Sequence, residues 1–469
     1  MQDFAFSYTN WANTFYSSSS RYYEPDNVND VCYALEKERN LVSKRGCSSS
    51  NEAIRVIGGL HSPNDCAMTK GAVINLRKMC RVLQVNKASR LVKVEAGILL
   101  RDLNSALDAV GLALPNQSSI SDQSLAGCIA TGTHGTGFNF QMLASAIVEI
   151  QIVLADGSVH VCSRERDDPQ IPFLATLCHL GCLGIITGAV IECSKAFDVH
   201  VIETPTNLDA ILDNSLETRI KSCSHYRFWW FPHTNSDLVS EWRGERVTPH
   251  LRTKSSVTDD SFLNSMEKTC KWLFERGFGY YAFEFALFCS LPFPYLVPWI
   301  SQIWSNALFG TRKESINRGD LQFNIDCLFK QHVDEWSLPL SSLRSALTEL
   351  RALVSSKHRV HFPVEVRFVA CDDSWLSPST GQKGDVRVYV GIIAYRPYGL
   401  DSPYKKYFAD YEEIMARHNG RPHWAKVFGL QRDEFESLYT KWDDFIKLRR
   451  RIDPLNLFVN NYLERILTI

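Results

Sequence analysis

The sequence predicts an α+β fold in two domains, and three observations carry that expectation. Strand and helix patterns alternate through the first ~200 residues, with glycines closing the strands. From residue 205 to 400 the pattern becomes aromatic-rich, with longer gaps between turn signals. A chain of 469 residues is also longer than one core usually organises.

Composition narrows the class. With 45% hydrophobic and 22% charged residues the chain reads as globular. Lys+Arg 51 against Asp+Glu 52 leaves almost no net field, which argues against a nucleic-acid partner. The 14 cysteines are scattered. No CxxC is present, and Cys178-His179 with Cys182 has the wrong spacing for zinc or haem, so reduced thiols and no metal are expected. Met1–Phe4 shows neither the basic nor the apolar region of a cleaved signal. No uncharged apolar run reaches the ~18 residues of a spanning helix without a proline.

The elements follow in order. Residues 1–50 carry a serine run, Ser17–Ser20, and lead into a short amphipathic helix over Asp30–Leu41. Strands are expected at 54–58, at Ala72–Leu76 and at Leu91–Gly97, the last alternating with period two. Leucines at 99, 103 and 107 give helical spacing over Leu99–Val110. Ile147–Leu154 and Ser158–Cys162 flank Asp156-Gly157, a hairpin with a type I′ turn signal, and Gly184–Glu192 is a further strand. In the second half Phe362–Phe368 and Arg387–Tyr395 read as strands, Ser402–Met415 and Asp433–Ile452 as helices. The segment 277–310 stands apart: Glu284 is its sole charged residue, aromatics are dense, and Pro292, Pro294 and Pro298 forbid one straight helix. It reads either as a buried helical layer or as a surface entering a bilayer interface.

Several stretches point to chemistry. In Arg55-Val56-Ile57-Gly58-Gly59-Leu60-His61-Ser62-Pro63 a buried strand stops at two glycines. Glycines that turn at positive φ would aim backbone N–H groups at one concave side, a nest for a pyrophosphate without any lysine. A tight turn carrying a surface histidine is the plainer reading. Gly132-Thr133-His134-Gly135-Thr136-Gly137, after Leu125-Ala126-Gly127, fits neither the Rossmann fingerprint nor a Walker loop, yet suits close backbone approach to a large ligand. Gly181-Cys182-Leu183-Gly184-Ile185-Ile186 enters a strand in the same way, and three such approaches suggest an extended dinucleotide. Glu365 and Arg367 share one strand face, either as a surface ion pair or as a site. His423 and Lys426 share a face if their short segment is helical.

Gly59-Leu-His-Ser-Pro, Gly132-Thr-His-Gly-Thr-Gly, Glu365-Val-Arg, His423-Trp-Ala-Lys and Asn461-Tyr-Leu-Glu occur together in this order. Phe231-Pro-His-Thr, Phe329-Lys-Gln-His and Tyr395-Arg-Pro-Tyr stand among them, so the match spans essentially the whole chain. The ordered set resembles the aldonolactone oxidoreductases of the vanillyl-alcohol-oxidase flavoprotein superfamily.

That resemblance implies a PCMH-type FAD-binding domain over 1–200, an antiparallel-sheet cap over 201–405, and a C-terminal helical segment over 406–469 that returns to the FAD domain. It implies FAD-dependent oxidation of an aldono-1,4-lactone, L-gulono-1,4-lactone above all, at C2 to the ascorbate precursor, with O2 reduced to H2O2. By that match His61 is the histidine bonded to the 8α-methyl of FAD, and Ile57, Gly58, Gly59, Leu60, Ser62 and Pro63 wrap the pyrophosphate. Ser118, Ser121, Gly127, Thr131, Thr133, His134, Gly135, Thr136 and Gly137 follow along the cofactor, with Gly184, Ile185 and Ile186. Glu365 and Arg367 grip the substrate and Lys426 lies near flavin N1; these three and His423 are the expected catalytic residues. Ser118 departs from the pattern: lactone oxidases usually place glycine there and galactonolactone dehydrogenases alanine, at a position linked to oxygen access. Direct reoxidation by O2 is expected. The alternatives are a dehydrogenase passing electrons to a quinone or cytochrome, and a catalytically silent membrane-peripheral flavoprotein. Association with the endoplasmic-reticulum membrane is expected, with a cytoplasmic location as the alternative.

Overall fold

Three sheets carry most of the architecture. The computed structural model describes residues 5–44, 49–166, 168–249, 279–325, 327 and 329–467, so the reading of Met1–Phe4 and the start of the 277–310 segment lie outside the described residues. The first sheet is parallel, in the order Arg21–Tyr23, Ala72–Asn75, Arg55–Ile57. Its middle strand, Ala-Val-Ile-Asn, is buried throughout, as a central parallel strand requires. The helix Val28–Ser43 is capped by Asn27, whose side chain accepts from the Asp30 N–H, and it lays Val31, Ala34 and Leu35 on Ala72 and Ile74.

The second sheet is antiparallel, in the order Val159–Ser163, Ile147–Val153, Ile185–Glu192, Leu91–Glu95, Val82–Asn86. Its hairpin turn differs from the expected type I′. Gly157 N–H donates to Leu154 C=O at 3.0 Å and Gly157 alone takes positive φ, +87°, so Asp156 never needs the left-handed region. That is a type I turn followed by a glycine bulge.

The third sheet has eight antiparallel strands in the order Lys313–Arg318, Asp198–Asn207, Leu238–Val247, His225–Trp230, Val364–Ala370, Val386–Tyr395, Gln331–Pro339, Arg421–Pro422. In Val-Glu-Val-Arg-Phe the apolar residues Val364, Val366 and Phe368 share a core with Leu347 and Leu350 of the helix Leu343–Lys357 and Tyr411 of the helix Lys405–Arg417. Period two therefore turns Glu365 and Arg367 to the opposite face, away from those helices.

The proline-broken segment forms the helices Gly279–Ser290 and Val297–Phe309, joined through the short turn Pro294–Leu296. Phe283, Leu287 and Ile300 are buried against Phe231, Phe329, Phe362 and Tyr395. Tyr281, Phe285, Trp299 and Ile303 are exposed, Trp299 by 69%. The buried-layer reading holds for one face, and the other face is apolar and exposed. No helix among the described residues is long and apolar enough to cross a membrane.

The expected helix Asp433–Ile452 is two helices, Arg432–Leu438 and Trp442–Ile452. The chain extends between them at Tyr439 (φ −126°, ψ 116°), whose buried ring stacks on Trp424 at 5.5 Å. Packing that ring outweighs local helix propensity.

Candidate active site

A long cleft lies where the first two sheets meet the third. Its walls come from residues 55–63, from the segment between 118 and 134, from 179–186, and from His423–Lys426 with Tyr462. The three glycine-rich stretches thus converge on one channel. At its start, positive φ falls on Leu60 (+54°), not on Gly58 or Gly59. The glycines are demanded by contact instead. A Cβ at Gly58 would stand 1.9 Å from Ser124 Oγ, and one at Gly59 would stand 2.0 Å from the Asp122 carbonyl oxygen.

A second cavity opens on the inward face of the eight-stranded sheet, beneath the Val297–Phe309 helix. Trp229, Phe231, Phe283, Trp304 and Tyr395 form its apolar wall, and Glu335, Glu365, Arg367, Gln331 and Lys426 its polar part. His61, Ser119, Glu335, Arg367 and Lys426 line both spaces, so the two meet there.

Register explains the polar part. Trp229 pairs with Glu365, Glu365 with Gly391, and Gly391 with Glu335, so the four lie abreast on neighbouring strands. Glu365 Oε1 accepts from Trp229 Nε1 at 3.0 Å and lies 3.7 Å from Arg227 Nη1, while Arg367 Nη2 donates to Oε2. Burial works to raise the Glu365 carboxyl, but Arg367, Arg227 and the Trp229 N–H outweigh it and hold it below the usual range. Glu335 faces His134 Nε2 at 3.4 Å and Lys426 Nζ at 3.8 Å. Burial opposes its charge, yet His134, Lys426 and Arg367 hold it well below the usual carboxylate range.

Histidines complete the wall. His134 stacks on Tyr389 at 3.6 Å, and its Nδ1 sits 3.0 Å from the Gly135 carbonyl. Burial drives His423 down to about 3 against the pull of Glu335. Its Nδ1 accepts the Ala425 N–H at 3.1 Å, so the neutral ring keeps its proton on Nε2. His61 is held below its usual range by burial, over the opposing pull of Asp122, and its ring lies 5.9 Å from that of Trp11. Among the described residues, His134, Glu335 and His423 form one group whose atoms lie within 4.8 Å, the count a metal could use. Lys426 and Arg367 beside Glu335 already supply the cations, and His423 Nδ1 is engaged, so the group reads as a hydrogen-bonded network.

Lys426 sits on a loop that is clamped from both ends of the chain. Asn64 Nδ2 donates to the carbonyls of Trp424 (2.8 Å) and Lys426 (2.9 Å), and Tyr462 Oη donates to Trp424 C=O at 2.8 Å. The His423 N–H donates to Glu335 C=O at 2.8 Å, tying the loop to the sheet.

Residues 189–466 match the family described as D-arabinono-1,4-lactone oxidase, and residues 43–163 match an FAD binding domain. An L-gulonolactone oxidase from Scyliorhinus torazame is 40% identical over 462 residues, 98% of each chain. The chain belongs to the D-arabinono-1,4-lactone oxidase family. The L-gulonolactone oxidase of Mus musculus is 38% identical over 98% of each chain, and an L-gulono-1,4-lactone dehydrogenase of Mycobacterium tuberculosis 31% over 91% of each. Among solved structures, a cholesterol oxidase from B. sterolicum superposes with TM-score 0.73 at 13% identity, covering 99% of this chain and 97% of that one. The expected α+β FAD-binding fold with an antiparallel cap sheet is the fold observed.

The cofactor to fit in this lactone oxidase family chain is FAD, and the cleft suits it. His61 Nδ1 and Arg367 Nε are buried without a hydrogen-bond partner in the protein, and Gly58 and Gly59 leave backbone where side chains cannot stand. Ile57, Gly58, Gly59, Leu60, His61, Ser62, Pro63, Ser118, Gly127, Thr131, Thr133, His134, Gly184, Ile185, Ile186, His423 and Lys426 all line it, and Arg367 reaches it. Glu365 lines the second cavity alone. Four expected residues lie outside both. Ser121 offers its carbonyl to the Arg101 N–H at 3.0 Å, and Gly135 is wedged where a Cβ would meet Asn116 and Gln117 at 2.3 Å. Thr136 Oγ1 accepts the Phe368 N–H at 3.2 Å, and Gly137 N–H donates to Phe368 C=O at 2.6 Å. These last two stitch the FAD-binding half to the cap sheet. Glu335, Trp229 and Arg227 went unread in the sequence. The one signal for Glu335 is period-two spacing, Gln331, Val333, Glu335, in a strand where Asp334 obscures the alternation.

Proposed function

We propose that the protein oxidises an aldono-1,4-lactone, L-gulono-1,4-lactone above all, at C2 to the 2-keto lactone that enolises to ascorbate, with O2 reduced to H2O2. The observation that carries this is the meeting of the glycine-lined cleft and the aromatic cavity at His61, Arg367 and Lys426. FAD, when bound, supplies the acceptor for the hydride of C2. Arg367 would orient the lactone oxygens with its paired donors, its Nε being free to do so. Glu365, ionised between two arginines, would accept the C2 hydroxyl and take its proton at a carboxylate oxygen. The Lys426 ammonium would stabilise negative charge as it grows across the cleft, more in the transition state than before it. His423 Nε2–H would donate into the same wall.

In this reading residues 1–200 with 406–469 hold FAD and residues 201–405 form the lactone-binding cap. His61, neutral and with an unpartnered ring nitrogen, is the tether for FAD. Ser118 donates to the Ile120 carbonyl at 2.6 Å, turning its hydroxyl aside, which favours O2 as acceptor over a quinone or cytochrome. The exposed Tyr281, Phe285, Trp299 and Ile303 suit a membrane surface, and family membership makes the endoplasmic reticulum the membrane proposed. The test is in-gel fluorescence of the denatured protein beside a His61→Ala control, with lactone added anaerobically to a native sample. A fluorescent band lost in the control, and lactone-dependent loss of visible flavin absorbance, are expected. Native protein that carries FAD but never bleaches with any aldonolactone would refute the reading.

A further inference from the structure

Glu335 and Glu365 flank Gly391 in one row across three adjacent strands. Residues paired directly across strands point to the same face, and all three line the second cavity. Two strand spacings separate the carboxylate-bearing backbones by about 9.6 Å, and both side chains reach inward over a residue that has none. A Cβ at Gly391 would project between them, with its nearest neighbours Glu335 Cγ at 3.7 Å and Glu335 Oε1 and Glu365 O at 3.8 Å. Each carboxylate has its own neighbours, Arg227 for Glu365 and Lys426 with the His134 ring for Glu335, and Arg367 stands beside both. The arrangement is a two-sided seat with an open floor. An aldono-1,4-lactone carries ring hydroxyls at C2 and C3 and further hydroxyls on its C4 side chain, and one carboxylate cannot accept from all of them.

We propose that Glu335 is a second substrate anchor, accepting lactone hydroxyls from the side opposite Glu365, with Gly391 as the floor on which the ring rests. This rests on the lactone reading above. It assigns Glu335 a contact with substrate, beyond support for Lys426.

Glu335→Gln keeps the shape and halves the acceptor strength. Loss of a charge-assisted hydrogen bond should raise the lactone KM about 10- to 100-fold. Gly391→Ala meets only ordinary van der Waals neighbours and needs no unusual backbone, so it should fold, keep its FAD and raise KM by a similar factor. Sulfite, which binds at the flavin without a hydroxyl to anchor, serves as the control probe, and its Kd should change less than about threefold in both variants. Wild-type lactone KM in Gly391→Ala, or sulfite affinity falling in step with lactone affinity in Glu335→Gln, overturns the seat. If Glu335→Gln does not fold, Gly391→Ala decides alone. Wild-type protein that never bleaches with lactone would instead remove the lactone reading beneath it.

Discussion

Gly59→Ala is the perturbation whose size the structure sets most directly. The added methyl would begin 2.0 Å from the Asp122 carbonyl oxygen and 3.1 Å from its carbon, both backbone atoms. Ordinary separation requires the turn to retreat by more than about 1 Å. Nothing at this position relieves the contact by rotating, unlike Gly58, where the obstacle is the Ser124 side chain. Misplacement on that scale costs about 100-fold where groups must meet a ligand closely. Gly157 is the control: its φ of +87° makes alanine strained, yet no atom lies within 4 Å. Gly157→Ala should therefore cost about 1 kcal/mol of stability and leave the cofactor in place. The assay is FAD stoichiometry of purified protein from its absorbance ratio, followed by the Kd for added FAD. A Gly59→Ala protein with full FAD occupancy would show that the 55–63 turn does not hold the pyrophosphate.

Glu365→Gln strands Arg227, which is buried, beside Arg367. Breaking a buried pair costs about 3–5 kcal/mol, reduced here to about 2 because the Glu365 side chain is 21% exposed. Because the folded state holds this carboxyl below its unfolded pKa, the stabilisation is present above about pH 4 and disappears as pH falls through the folded value. The melting difference between variant and wild type should narrow on acidification; a constant gap would contradict the assignment. Ser118→Gly should leave the rate of reoxidation by O2 within about twofold, since the hydroxyl is already engaged by Ile120, and a larger gain in stopped-flow would make Ser118 a barrier. Trp299→Asp with Ile303→Asp should abolish flotation with liposomes while preserving turnover; co-flotation of the double variant would remove the exposed helical face as the contact.

The sequence was most readable where one physical demand dominated. Val364 to Phe368 alternates cleanly because one face meets helices and the other meets the second cavity, so Glu365 and Arg367 could be placed together in advance. The glycine stretches were legible as close approaches, but their reason was not. Gly58 and Gly59 are fixed by residues 122 and 124, more than sixty positions away, and no local pattern reports such contacts. Gly135, Thr136 and Gly137 share a motif with His134, yet they serve Asn116, Gln117 and Phe368. Glu335 was hidden because its neighbour Asp334 is also buried, which erases the polar–apolar rhythm. The helix break at Tyr439 follows from a ring that must reach Trp424, another demand made across the chain.

The Arg55 guanidinium donates to the carbonyls of Leu180 and Phe458, each at 3.0 Å, and Asn460 Nδ2 donates to Met68 C=O at 2.9 Å. The first wall of the cleft is therefore completed by residues synthesised 403 positions after it. At ~5–20 residues per second that separation is on the order of 20–80 s on the ribosome. Through that interval the nascent protein has no finished pocket to offer a flavin. Completing the pocket must await the 458–460 segment, and a truncation just before Phe458 should be as damaging as one placed much earlier.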